Sequence, residues 1–124
     1  MRRIVRAAAV LTFAAGTVLV AGAGSQAAEA GAQATVHGCP SGAVCLYPGS
    51  GWNDDKPEHM YWSYGAHNLV NETGTHRVFN NQTDGATAAL CQGYGGVNCG
   101  TKGYPGQSIV TNMTPINSIK LARS

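Results

Sequence analysis

The chain has 124 residues, and its formal charge is +2, from 8 lysines and arginines against 6 aspartates and glutamates. Three of those arginines and one glutamate lie in the first 30 residues, so the rest of the chain is nearly neutral. Because no basic patch is available to neutralise phosphates, this composition argues against nucleic-acid binding and against binding to an anionic membrane surface.

Residues 1–30 have the pattern of a secretory signal peptide. Residues 1–6 carry three arginines, and residues 7–24 are uncharged and dominated by small and apolar side chains. The length of this run is close to that of a membrane span, so an uncleaved anchor is the alternative interpretation. Its small residues and the alanine-rich stretch behind it favour cleavage near Ala30. The prediction is a single secreted domain, residues 31–124, with no membrane association after cleavage.

All four cysteines, Cys39, Cys45, Cys91 and Cys99, fall within this predicted domain. A domain this small buries little core by itself, and an oxidising compartment would allow disulfides to stabilise it. Three pairings are possible, and we favour the local one, Cys39 with Cys45 and Cys91 with Cys99, because it requires the least loop closure. The spacings also differ from the Cys-x2-Cys pairs typical of zinc sites.

The sequence reads as short β-strands separated by turn residues. Met60, Trp62 and Tyr64 alternate with other residues, as expected of a half-buried strand. Glycine, threonine and asparagine interrupt every candidate helix. The predicted strands are residues 45–47, 59–64, 68–70, 75–80, 86–91, 107–111 and 116–121. The predicted loops are residues 48–57 and 92–106, with a turn-rich break at residues 80–85.

The two halves of the predicted domain show a weak internal repeat. A shift of 41 residues places Leu69 on Val110 and Val78 on Ile119. Each half also has the order apolar run, cysteine, glycine-rich loop and two further strands. This pattern predicts two four-strand units facing each other in an all-β sandwich.

Two motifs then carry a resemblance to a known family. The first is Cys39-Pro-x-Gly-x-x-Cys45-x-Tyr47-x-Gly49-x-Gly51, directly after the predicted signal peptide. It resembles the opening of the small secreted bacterial metalloproteinase inhibitors, which have a βγ-crystallin-like fold. The second, at residues 116–121, is similar to the end of a crystallin Greek key. The resemblance implies a double Greek-key sandwich with two disulfides and an extracellular thermolysin-like peptidase as partner.

In that family, the second disulfide loop enters the cleft of the peptidase. Carried over to this chain, the resemblance implies an inhibitory loop from Cys91 to Cys99, with Gln92 at the position that offers a side chain to the pocket of the enzyme. Gln92 is polar where the family has an apolar residue, so Tyr94 and Val97 are the alternative anchors. The three glycines of the loop predict that it is flexible.

Two other binding functions remain open. Crystallin-type calcium sites precede a buried β-branched residue, here Val78 or Ile119. Neither residues 72–77 nor residues 113–118 supply the full set of oxygen ligands, so calcium binding is the less favoured hypothesis. A carbohydrate- or cell-wall-binding face is the stronger alternative. Trp52 is either a cover on the core or an exposed contact. The candidate aromatic residues are Tyr47, Trp52, Tyr61, Trp62, Tyr64, Tyr94 and Tyr104.

Catalysis has little support in the sequence, which contains no metallopeptidase or serine-hydrolase motif. Asp54, Asp55 and Glu58 form a local group of acids that a solvated loop explains. The histidines are interpreted as scattered surface or strand residues. They are His37, His59, His67 and His76. We expect a monomeric binding protein that is not an enzyme and that has no cofactor and no metal.

Overall fold

The computed structural model describes residues 34–124, so the predicted signal peptide lies outside the described residues. Residues 34–124 contain β-strands and one short 3-10 helix (Asn53–Asp55) but no α-helix, which confirms the all-β prediction. No helix in this part of the chain is long and apolar enough to cross a membrane. The strands are β1 (Val44–Pro48), β2 (His59–Tyr61), β3 (Gly65–Asn68), β4 (Thr75–Asn80), β5 (Thr87–Cys91), β6 (Cys99–Gly103), β7 (Ser108–Asn112) and β8 (Ser118–Ala122).

The strands form two four-stranded antiparallel sheets. The first sheet has the order β2-β1-β4-β7, and the second has the order β3-β8-β5-β6. The third strand of each half therefore lies in the sheet of the other half: β3 pairs with β8, and β7 pairs with β4. The predicted sandwich is present, but neither four-strand unit forms a sheet by itself, because the two units exchange one strand.

The main core lies between the two sheets and receives side chains from both. Alternate residues of a strand point to opposite faces, and Val44 and Leu46 of β1 point inward together with Val78 of β4. From the second sheet, β8 contributes Ile119 and Leu121. The buried members of the cluster are Val44, Leu46, Leu69, Val78, Ala88, Leu90, Met113, Ile119 and Leu121.

A second apolar cluster covers the outer face of the first sheet. Cys45 and Tyr47, which alternate with the inward-facing residues of β1, pack there with Cys39, Ala43 and Phe79. As a result, β1 is fully buried on both faces up to Tyr47. Because of this outer cluster, almost none of the apolar surface of β1 is left in water. This burial explains how a strand of only five residues can stabilise the sheet.

Tyr47 connects the outer cluster to the chain segment that precedes it. Its hydroxyl donates a hydrogen bond of 2.8 Å to the carbonyl of His37. Burial raises the pKa of the Tyr47 hydroxyl to about 12, and the negative charge of Asp55 adds to the effect. The hydroxyl therefore stays protonated, as a donor to His37, throughout the neutral range.

The disulfides confirm the local pairing. Cys39 bonds Cys45 with Cα atoms 5.9 Å apart, and Cys91 bonds Cys99. Cys91 and Cys99 also face each other across β5 and β6. None of the four cysteines is free. Two disulfides fit an extracellular location.

Two strand predictions and one loop prediction need correction. The predicted strand at 59–64 ends at Tyr61, and Met60, Trp62 and Tyr64 are exposed rather than half-buried. The predicted strand at 68–70 lies earlier, at Gly65–Asn68. The predicted loop at 92–106 contains β6, whose first four residues are exposed. The side chains of β6 are exposed and give no strand pattern in the sequence. The strand is held instead by its pairing with β5 and by the disulfide, so sequence reasoning missed it.

The predicted break at residues 80–85 begins with a buried polar junction. Asn80, Asn81 and Gln82 are at most 3% exposed. The Asn80 amide donates hydrogen bonds to the carbonyls of Ala86 (2.9 Å) and Gly103 (3.0 Å). Its carbonyl oxygen accepts a bond of 2.9 Å from the backbone N–H of Gln82. This polar segment therefore supplies the hydrogen bonds that water would otherwise make to buried backbone groups. It does so where the chain passes from its first half to its second.

Asn80→Ala tests the importance of this junction. Two buried carbonyls lose their donor, and each unsatisfied buried group costs about 1–3 kcal/mol, so the free energy of unfolding should fall by about 3 kcal/mol. Urea denaturation followed by circular dichroism measures the change, with Thr101→Ala on the exposed edge strand as the control. A loss below about 1 kcal/mol would show that the junction contributes little.

Candidate functional site

The predicted inhibitory loop connects β5 to β6 and is closed by the Cys91–Cys99 disulfide. Inside that ring, the N–H of Gln92 donates to the carbonyl of Asn98 (3.0 Å), and the N–H of Gly93 donates to the carbonyl of Val97 (2.9 Å). The loop therefore continues the pairing of the two strands. The chain then reverses through left-handed conformations, φ 75° and 76°, at the two glycines of the tip, Gly95 and Gly96.

Side chains of β3 and β8 hold this loop against the second sheet. The Ser118 hydroxyl donates a hydrogen bond of 2.7 Å to the carbonyl of Gly93 and accepts one of 3.0 Å from the N–H of Gly96. The N–H of Gly95 donates to the Asn68 side-chain oxygen at 2.8 Å. A Cβ atom added at Gly96 would lie 3.1 Å from the Cβ of Ala66. The sequence predicted a flexible loop because of these glycines. In the structure, they allow the close contacts with Asn68, Ser118 and Ala66 that fix the loop.

The predicted site residues differ in how they are presented. Tyr94 and Val97 are each 61% exposed. Gln92 lies at the base of the loop, where its carbonyl accepts a bond of 2.7 Å from the Asn117 amide and its side chain accepts one of 3.1 Å from Asn98. The loop therefore offers an aromatic and an aliphatic side chain to a partner, and Gln92 is also exposed but its side chain bonds Asn98 within the ring.

Trp52, the predicted alternative contact, covers the outer cluster instead. The His37 ring stacks on it, with centroids 3.8 Å apart and planes at 10°, and the Arg77 guanidinium carbon lies 4.2 Å from the ring centroid. Two groups this close to the ring centre must occupy opposite faces. Tyr47 and Phe79 meet the same ring edge-on. Neither face of Trp52 is left for a sugar ring.

Other aromatic residues are exposed. Trp62 is 55% exposed and Tyr64 is 46% exposed, both between β2 and β3. The Arg123 guanidinium lies 4.6 Å from the centre of the Tyr64 ring. Tyr104 is 52% exposed. Among the described residues, Trp62 and Tyr64 therefore replace Trp52 as candidates for a carbohydrate contact.

Four titratable side chains meet at the first sheet, and we name Glu58, His59, Glu72 and His76 the His–Glu cluster. Glu72 lies at its centre: Nε2 of His59 is 3.1 Å from one carboxylate oxygen, and Nε2 of His76 is 3.0 Å from the other. Glu58 lies 3.8 Å from His59 and 3.7 Å from His76. The side chains of Glu72 and His76 are 6% and 9% exposed, whereas those of Glu58 and His59 are 36% and 48% exposed.

The strand order of the first sheet brings this cluster together. His59 on β2 and His76 on β4 both flank β1, at Leu46 and Pro48 respectively. Burial raises the pKa of the Glu58 carboxyl, and the neighbouring Glu72 carboxylate raises it further. Burial, together with the charges of Glu72 and Glu58, also raises the pKa of Tyr61 to about 12. Both groups therefore lie in a partly buried region that also holds a neighbouring carboxylate.

Sequence reasoning missed this cluster. It interpreted the histidines as scattered and Glu58 as part of an acidic group with Asp54 and Asp55, but the structure separates that group. Asp55 pairs with His37 at 2.8 Å, while Glu58 faces two histidines. The only local signal was the i, i+4 spacing of Glu72 and His76, and no sequence pattern links that pair to residues 58 and 59.

Comparison with known proteins identifies no family: no family model, curated protein or solved structure matches the chain. Function must therefore be inferred from the loop, the exposed aromatic residues and the cluster.

Ser118→Ala tests whether the loop is held as described. The change removes a buried hydroxyl that makes two hydrogen bonds to the loop, so the free energy of unfolding should fall by about 1–3 kcal/mol. Amide hydrogen exchange at Gly96 should accelerate, because its N–H loses its acceptor. NMR-detected exchange measures this effect, with the amides of β4 as an internal reference. Unchanged exchange at Gly96 would contradict the assignment.

Proposed function

We propose that the protein is a secreted, peptidase-inhibitor-like protein that binds an extracellular thermolysin-like metallopeptidase through the Cys91–Cys99 loop. The observation that carries this proposal is the loop itself, which is closed by a disulfide, is hydrogen-bonded to β3 and β8, and exposes Tyr94 and Val97. Secretion is part of the proposal, and its support is the signal-like pattern of residues 1–30 together with the two disulfides.

Preorganisation of the loop favours tight binding to a peptidase. Ordering a loop on binding reduces affinity, and a loop that is already ordered avoids that loss. A ring clamped at both ends would also keep the two sides of the loop together if the enzyme cut it. Aromatic side chains dominate the energetics of many interfaces, so Tyr94 is the main anchor in this proposal and Val97 is its neighbour.

The finer description of the fold belongs to the same proposal. We infer a βγ-crystallin-like double Greek key, supported by the strand order. In each sheet, the second, first and fourth strands of one half are followed by the third strand of the other half. The cysteine motif at residues 39–51 and the end of the chain at residues 116–121 resemble the same family.

The test is inhibition of a thermolysin-like peptidase by the oxidised chain of residues 31–124. We expect saturable inhibition that Tyr94→Ala together with Val97→Ala weakens at least about tenfold, because both exposed anchors are removed. Tyr104→Ala is the matched control, since Tyr104 is exposed outside the loop. Ser118→Ala should also weaken inhibition although both anchors remain. Absence of inhibition, or equal inhibition by the loop and control variants, would refute the proposal.

A second candidate function, binding of cell-wall polysaccharide, is favoured by the exposure of Trp62 and Tyr64. Tryptophan and tyrosine rings combine a large apolar face with a polar group, which suits stacking against a sugar ring. This face includes neither Tyr94 nor Val97, so the two functions can be tested separately.

Retention on insoluble peptidoglycan or chitin tests this second function. The wild-type chain should be retained, and Trp62→Ala should abolish retention because it removes the larger exposed ring. The Tyr94→Ala, Val97→Ala variant is the control and should be retained like the wild type. If Trp62→Ala is retained equally, this face is not a carbohydrate site.

A further inference from the structure

We propose that the His–Glu cluster is a binding site for one divalent transition-metal ion, with Zn²⁺ as the probe. The ligands are Glu58, His59 and Glu72, and His76 contacts the same two carboxylates from the buried side. This site was not expected from the sequence, which predicted no metal. It is independent of the proposed inhibitory loop, because the two share no residue.

The spacing of the donor atoms fits a tetrahedral ion. Nitrogen and oxygen ligands about 2.0–2.1 Å from zinc stand about 3.3 Å from one another. Nε2 of His59 lies 3.1 Å from one oxygen of Glu72 and 3.8 Å from one oxygen of Glu58, on both sides of that value. Ligand atoms of Glu58, His59 and Glu72 also lie within 4.8 Å of one another. These three side chains therefore place their donor atoms close enough together to share one ion.

The orientation of His76 is compatible with a cation at the cluster. Its Nδ1 lies 3.1 Å from the carbonyl of Gly74, which can only accept, so Nδ1 carries the hydrogen. In the neutral ring, Nε2 then directs a lone pair at oxygens of Glu72 and Glu58. Such a contact is favourable when a metal ion lies between the atoms, or when a hydrogen on Nε2 or on a carboxyl group does. Metal-binding histidines commonly donate their other ring N–H to a backbone carbonyl in this way.

The charge balance of the site points in the same direction. Within residues 34–124, Glu58 and Glu72 form ion pairs with histidines only, and neither meets a lysine or an arginine. The Glu72 carboxylate is almost completely buried, and a buried anion needs a compensating charge. Mixed imidazole and carboxylate ligands suit zinc and its neighbours better than calcium, which takes oxygen ligands. The partly exposed side chains of Glu58 and His59 leave a path for the ion to enter.

Isothermal titration of the untagged chain of residues 31–124 with ZnCl₂ tests the site. We expect binding of one ion per chain. His59→Gln should weaken the affinity at least about 10- to 100-fold, since changes even to residues that only support metal ligands have effects of this size. His67→Gln is the matched control, because His67 lies outside the cluster. Its Nε2 makes a hydrogen bond with the carbonyl of Ser63. This variant should bind zinc like the wild type.

Two further measurements keep the test decisive. The side chain of His59 is 48% exposed, so its replacement should leave the fold intact, and circular dichroism checks this. At one zinc concentration, zinc should raise the melting temperature of the wild type and of His67→Gln by more than that of His59→Gln. Cobalt substituted for zinc should show the visible absorption of a tetrahedral site. If no ion binds, or if both histidine variants bind zinc equally, the proposal is wrong and the cluster is a protonated histidine–carboxylate network.

Discussion

The exchange of one strand between the two halves of the chain is the constraint on which the rest of the structure depends. Because β3 completes the second sheet and β7 completes the first, neither half can bury its apolar face without the other. The chain must then pass between the halves close to the core, where unpaired backbone groups would be costly. Asn80 supplies the missing partners by bonding the carbonyls of Ala86 and Gly103. The strand exchange therefore requires the hydrogen bonds of the polar junction.

The same exchange determines how the candidate loop is held. The loop belongs to the second half, but Asn68, which bonds the N–H of Gly95, comes from the exchanged strand β3 of the first half. Ser118 on β8 supplies the other contacts, and β8 pairs with β3 through Ser118 and Asn68 themselves. The loop is thus fixed by a strand pair that exists only when both halves have assembled. The strand pair thus adds contacts from both halves to a ring that the disulfide and its own backbone hydrogen bonds already close.

Local patterns revealed much of the fold but little of the His–Glu cluster. The two disulfides and most strands could be predicted because cysteine spacing and apolar runs are local signals. Edge strand β6 was missed, since its exposed residues carry no such signal and its partner holds it in place. Trp52 could not be assigned because its environment depends on His37 and Arg77, which are distant in sequence. The cluster likewise depends on β1 lying between β2 and β4, which only the topology reveals.

Glycine and asparagine residues suggest flexible loops in this sequence. In the structure, they instead help to fix the Cys91–Cys99 loop and the His–Glu cluster. At the loop tip, Gly96 allows its N–H to reach Ser118, and a side chain there would crowd Ala66. At the cluster, the carbonyl of Gly74 fixes the ring of His76 and so determines which nitrogen faces the carboxylates. In both places, a side chain is held by a hydrogen bond to a nearby backbone group. In a larger protein, packing against the core would hold it. A domain with so little apolar interior can still hold a rigid site, because hydrogen bonds to the backbone define the geometry that packing alone would leave loose.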